Sequence, residues 1–128
     1  MNAAGYDLEE RTARFGESVI EFCLRLPFTP ITAPLITQFV KSSTSIGANY
    51  AEADEAESKA DFRHKIALCR KESREAKHWC RMLAKAIAAE KSIIRVFWTE
   101  AKELHLIFCK IIRTTDTNLR AAKIPKLS

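Results

Sequence analysis

Apolar residues recur along this chain at intervals of three and four, which places them on one face of a helix turning about 100° per residue. No stretch alternates apolar and polar residues as a half-buried strand would. Four segments carry the helical pattern. The first, from about Asp7 to Leu26, lines up Leu8, Phe15, Val19, Ile20, Phe22 and Cys23, with Asp7, Glu9 and Glu10 in a first turn where the helix dipole favours anions. Pro27 ends it. The run Pro27-Phe28-Thr29-Pro30-Ile31-Thr32 contains two residues without a backbone N–H and reads as a short rigid crossover.

Thr32 is the expected N-cap of the second segment, which tolerates Pro34 in its first turn and continues through Leu35, Ile36, Phe39, Val40, Ile46, Tyr50 and Ala51 towards Ala56. Its middle, Ser42-Ser43-Thr44-Ser45 with Gly47 and Ala48, sacrifices helix propensity, and Gly47 alone costs about 1 kcal/mol relative to Ala. Small side chains let another helix come close, so close packing is the expected compensation. Ser58 with Asp61 three residues on forms a capping-box pattern and starts a third helix reaching about Ala88. Its seam is Phe62, Ile66, Cys69, Ser73, Ala76, Cys80, Leu83 and Ile87. A fourth helix is predicted from about Ser92 to Thr115, with Phe97, Ala101, Leu104, Phe108, Ile111 and Ile112 turned inward. Residues 118–128 read as a frayed tail. Four helices with short connections predict an all-α fold, an antiparallel up-and-down four-helix bundle occupying residues 1–128 as a single domain.

Composition narrows the class without naming a reaction. At 128 residues the chain is long enough for one packed core, and only three Gly and four Pro argue against a turn-rich sandwich or a low-complexity segment. No run approaches 18 consecutive apolar residues, and Met1 to Glu10 is acidic where a signal peptide is basic and then apolar, so a cytoplasmic protein without a membrane partner is expected. Cys23, Cys69, Cys80 and Cys109 lie far apart among apolar residues, and buried reduced thiols are the expected state.

Charge is divided unevenly along the chain. Residues 1–57 hold four Lys and Arg against nine Asp and Glu, whereas residues 58–128 hold seventeen against seven. On the third helix, Lys59, Arg63, Arg70, Arg74, Lys77, Arg81 and Lys85 fall within an arc of roughly 80°, centred roughly 110° from the apolar seam. Such a stripe borders the core, with alkyl stems laid inward and charges reaching outward. Two readings stay open. The stripe is a phosphate-binding surface for RNA or DNA, or it is a solvated face partly offset by Glu72, Glu75 and the acidic second helix or paired with Glu52, Asp54, Glu55 and Glu57 on a neighbour. No motif of a known nucleic-acid-binding fold and no interleaved aromatic platform accompanies it.

Catalytic and metal patterns are sparse. A di-iron bundle needs two Glu-x-x-His motifs, and the chain has one, Glu75-Ala-Lys-His78, rotated away from the seam. His64, His78 and His105 stand beside no nucleophile elbow, phosphate loop or recognisable Cys-His spacing, so no catalytic residue, metal or cofactor is expected. Trp79 and Trp98 read as packing or interface residues. Asn49 and Glu52 form either a buried polar network or a ligand site.

The run Lys41-Ser42-Ser43-Thr44-Ser45-Ile46-Gly47-Ala48-Asn49-Tyr50-Ala51-Glu52-Ala53, with Ser58-Lys59-Ala60-Asp61-Phe62 and Lys71-Glu72-Ser73-Arg74-Glu75, resembles a bacterial four-helix-bundle family. That family includes the proteins encoded in intervening sequences of 23S ribosomal RNA genes. The resemblance implies a homopentamer, and a related accessory protein of diversity-generating retroelements is similar to a pentameric barrel that binds nucleic acid and a reverse transcriptase. The family pattern has Ile-Ala-Glu-Gly after the Asn, where this chain has Tyr50-Ala51-Glu52-Ala53, so its second helix is expected to run further. The expected function is therefore a non-enzymatic oligomer that binds nucleic acid, structured RNA above all, through the basic stripe. The alternative is a homo-oligomeric scaffold for protein partners, whose charges serve subunit contacts.

Overall fold

The computed structural model describes residues 7–123 and contains α1 (Leu8–Leu24), α2 (Thr32–Asp54), α3 (Lys59–Ala86) and α4 (Lys91–Lys123), with one 3-10 turn at Ala88–Glu90. Consecutive helices run antiparallel and pack side by side, as the short connections require. α2 with α3 and α3 with α4 make the most extensive interfaces, α1 leans on α2, and α1 meets α4 only sparsely. The predicted bundle is the observed one. Among the described residues no helix is long and apolar enough to cross a membrane.

Helix ends follow local chemistry. Asp7 caps α1, its Oδ1 accepting from the Glu10 N–H at 3.1 Å, and Ser58 caps α3 by accepting from the Asp61 N–H at 3.0 Å. The expected Thr32 cap is corrected. Thr29 Oγ1 accepts from the N–H of Ile31 and of Thr32, at 3.2 and 3.1 Å, and the Thr29 carbonyl takes the Ala33 N–H. Thr32 instead braces the crossover, its hydroxyl accepting from the Thr29 N–H and donating to the Pro27 carbonyl at 2.6 Å. At its other end α2 stops at Asp54, short of Ala56, because the N–H groups of Glu55 and Ala56 tighten onto Glu52 and Ala53.

Two glycines explain the small-residue run. A Cβ on Gly47 would lie 3.3 Å from Thr12 Oγ1 and 3.4 Å from its carbonyl carbon, and one on Gly16 would lie 3.4 Å from Thr44 Cα. The backbones of α1 and α2 thus touch where they cross, which is the compensation that the weak helix formers predicted.

One apolar cluster runs the length of the bundle, with Val19, Phe39, Ile46, Ile66, Cys69, Ala76, Leu83, Leu104 and Phe108 fully enclosed. Each large member contributes about 1.5–3 kcal/mol by leaving water. Phe97 joins three helices, its ring centre 6.2 Å from Phe15, 5.3 Å from Phe22 and 6.1 Å from Phe39. The α3 seam is buried from Ile66 to Leu83 in the predicted register, but Ile20 and Ala51 face outward. All four cysteines are free. Burial pushes the Cys23 thiol up to about 11 and those of Cys69 and Cys80 to about 12, which keeps them protonated and inert.

The largest difference from expectation is α4. It continues through Thr115, Leu119 and on to Lys123, so residues 118–123 of the expected tail are helical, while 124–128 lie outside the described residues. Thr115 is buried with its hydroxyl on the Ile111 carbonyl at 2.8 Å, and Asp116 is tied to α3. These contacts carry the helix past the point where the apolar period fades.

Candidate nucleic-acid interface

The stripe predicted on α3 faces α4. Arg63 reaches Asp116, the Arg70 carbonyl meets His105, and Lys77 lies over Trp98. Lys59, Arg74, Arg81 and Lys85 are exposed, whereas Arg63, Arg70 and Lys77 are half-buried, as expected for cations whose stems rest on the core edge. From Arg63 to Lys85 the stripe extends roughly 33 Å at the helical rise per residue.

α4 doubles it. Lys91, Arg95, Lys102, Arg113 and Arg120 fall within an arc of roughly 40° on that helix. Arg95 and Lys91 line a groove with Arg81, Lys102 stands 5.5 Å from the Trp98 ring centre, and Arg120 lies close enough to Asp116 to lower its pKa. Two basic stripes on adjacent helices therefore merge into one field. The spacing of the second stripe is present in the sequence, but its merging with the first shows only when α4 is laid against α3.

Several acidic groups turn away from this field. Glu100 and Glu103 of α4 turn towards α1, where Arg11 binds both oxygens of Glu100 at 2.8 Å and approaches Glu103 at 3.7 Å. Glu52 accepts from Lys65 Nζ at 2.7 Å, a lysine outside the stripe. Glu72 faces the α2 side, where Lys41 acts on it, and its carboxyl is raised chiefly by burial and then by the neighbouring Glu75 charge. Among the described residues, Arg63 is the one member of the stripe held in an ion pair. Glu52 and Glu72 thus turn away from the stripe, whereas Asp54 and Glu57 share a cleft with Lys59 at its end.

Two further expectations are corrected. An aromatic does stand among the cations: Trp98, 36% exposed, with Lys77 Nζ and Lys102 Nζ 5.3 and 5.5 Å from its ring centre. A Cys-His contact also exists, one turn apart on α4. His105 Nδ1 lies 3.2 Å from the Arg70 carbonyl, which can only accept, so in the neutral ring Nδ1 carries the proton. Nε2 then accepts from the Cys109 thiol at 3.5 Å, and the pair fastens α3 to α4 beneath the basic field.

Asn49 and Glu52 do not make a shared buried network. Asn49 Nδ2 donates to the Ser45 carbonyl at 2.9 Å within α2, and Glu52 points outward to Lys65. Glu75 is half-buried and His78 exposed against Trp79, and no group of three metal-ligating side chains occurs among the described residues. A separate cleft of about 540 Å³ opens between α1 and α4 over Phe15 and Phe97, with Asp7, Glu10, Arg11, Arg14 and Glu100 around it. Its mixed charges suit neither sign of ligand.

The sequence pattern of the family described as 23S rRNA-intervening sequence protein matches residues 6–110. Similar folds include a protein of unknown function from the S23 ribosomal protein family of Bacteroides thetaiotaomicron, whose crystal structure was determined at 1.70 Å. The two chains share 25% identity with a TM-score of 0.75, and the likeness covers 82% of this chain and 97% of that one. No protein of curated function matches the chain.

Proposed function

Because the chain belongs to the 23S rRNA-intervening sequence protein family, we propose that it is a cytoplasmic, non-enzymatic oligomer that binds RNA phosphates through the joined α3–α4 face. The observation that carries this reading is the merging of two basic stripes into one field in which, among the described residues, Arg63–Asp116 is the one ion pair. A polyanion gains there from every cation it meets, and the release of its counterions drives binding. Lys59, Arg74, Arg81 and Lys85 are the exposed members of the α3 stripe, with Lys77, Arg70 and Arg63 nearer the core.

The test is binding of purified protein to labelled structured RNA, single-stranded RNA and duplex DNA across a salt series. It runs beside a variant carrying Arg74→Glu, Arg81→Glu and Lys85→Glu, with light scattering to follow assembly. Wild type is expected to show a log-linear salt slope of about −4 or steeper, and the variant to bind at least about 100-fold more weakly at unchanged mass. Binding that ignores the reversal, or none at low salt, overturns the reading.

A second reading, a homo-oligomeric scaffold up to a pentamer that engages protein partners, draws on a different region. Leu24, Phe28 and Ile31 are 81%, 72% and 69% exposed along the α1–α2 connection, and Val96 beside the α1–α4 cleft is 67% exposed. Apolar groups so bare are what a subunit contact covers. Phe28→Ser with Ile31→Ser is expected to lower the assembled mass and leave the salt slope per chain intact; an unchanged mass counts against this contact.

A further inference from the structure

We propose that the groove beside Trp98 receives an unpaired nucleobase, so that the looped or single-stranded parts of an RNA are the preferred ligand of the α3–α4 face. This rests on the reading of that face as a nucleic-acid surface and narrows its ligand.

Trp98 lies within the basic field, at the seam of its two helices. Lys77 comes over its ring from α3 and Lys102 from α4. Next to it a groove of about 490 Å³ is lined by apolar Cys80, Ala84 and Ile94 and by cationic Arg81, Lys91 and Arg95. That size is within the range of small-ligand pockets. The other tryptophan, Trp79, packs against the core, so Trp98, 36% exposed beneath its two lysines, is the more accessible indole.

These parts match the demands of a base and its flanking phosphates. Every base has a π face, and stacking on an aromatic side chain outweighs the contact of a solvated ammonium with the same ring. An incoming base therefore displaces a lysine from Trp98, and the freed ammonium turns to the phosphate on one side of that base. Arg81, Lys91 and Arg95 meet the phosphates on the other side, while Ile94 and Ala84 accept the edge of the ring. A duplex cannot use this arrangement, because its bases are stacked on each other and show the protein edges but no free face.

The test compares a twelve-residue oligouridylate with a blunt twelve-base-pair RNA duplex, both end-labelled, at low salt. Trp98→Leu and Trp98→Phe are made in the otherwise unaltered chain, and Trp79→Phe leaves Trp98 as the only tryptophan for a fluorescence titration. The oligouridylate is expected to quench Trp98 and the duplex to leave it unchanged. Trp98→Leu is expected to weaken oligouridylate binding about tenfold and duplex binding less than about twofold, and Trp98→Phe to retain most of the affinity. If oligouridylate binds with a clear salt slope and Trp98→Leu leaves its affinity unchanged, base stacking is overturned and the phosphate surface stands. If neither RNA binds, both fall. A change of assembled mass in Trp98→Leu assigns the ring to a subunit contact and overturns the proposal.

Discussion

Arg63 donates from Nε and one Nη to the two oxygens of Asp116, at 2.8 and 3.2 Å, and so clamps α3 to α4 inside the basic field. The hydrogen bond from Arg63, and then the charges of Arg63, Arg120 and Arg70, hold the Asp116 carboxyl below its ordinary 3.8. A carboxylate with a depressed folded-state pKa stabilises the fold above its unfolded value. That contribution fades as pH falls through the folded one.

Asp116→Asn removes a negative charge from the field and frees Arg63. Affinity for single-stranded RNA is expected to rise a few-fold, and the salt slope to steepen by about one. Thermal melts should show a loss of stability at pH 7 that closes as pH is lowered past 3.8. Weaker RNA binding in this variant would mean that Asp116 positions Arg63 for its phosphate.

At the α1–α2 crossing, Gly47→Ala should not gain the roughly 1 kcal/mol that helix propensity offers. The new methyl meets Thr12, whose hydroxyl is fixed by bonds to the Leu8 and Glu9 carbonyls at 2.6 and 3.2 Å and cannot swing aside. Gly47→Leu should cost about 3 kcal/mol or more by forcing the helices apart. Denaturant midpoints for the pair check this, and a stabilised Gly47→Ala would show that the crossing has slack.

Ser43 and Ser73 are both fully buried, but their hydroxyls differ. Ser73 donates to the Cys69 carbonyl at 2.8 Å, whereas Ser43 Oγ has no hydrogen-bond partner. Ser43→Ala is therefore expected to be neutral or stabilising by up to about 1 kcal/mol, and Ser73→Ala to fall about 1 kcal/mol below it. Equal effects in urea unfolding would mean that Ser43 is satisfied in solution.

Glu72 gives a pH dependence of opposite sign to that of Asp116. Burial, followed by the Glu75 charge, raises its pKa above the ordinary 4.5, so its ionised form is penalised in the folded protein. Glu72→Gln should be more stable than wild type at pH 7, and the advantage should vanish below 4.5, where the wild-type carboxyl is protonated in both states. An advantage constant with pH would trace the effect to packing instead.

The α3 seam, the Ser58 cap and the close helix crossing were legible because each depends on spacing or residue type within a few turns. Thr29 displaced Thr32 as the cap because the choice depends on how the crossover folds back, which puts the Thr32 hydroxyl on Pro27. The last two turns of α4 were hidden because their support is polar and distant in sequence, the Arg63–Asp116 clamp lying 53 residues apart along the chain. The same reason hid half of the basic field. Lys91, Arg95 and Lys102 look like a solvated face until α4 is laid against α3, and Trp98 becomes an aromatic among cations only when Lys77 arrives from the other helix.

α1 has 17 residues and α4 has 33, about 25 Å beside about 50 Å, and that inequality predicts an order in which the molecule comes apart. Arg11 reaches Glu100 and Glu103, and beyond them α4 leans on Tyr50 of α2 and Arg63 of α3. A short helix held by one backbone crossing, one ring cluster and the Arg11 ion pairs is expected to lift away while the other three stay folded. Its amide protons are expected to exchange through that partial opening, and those of α3 between Ile66 and Leu83 only when the whole chain unfolds.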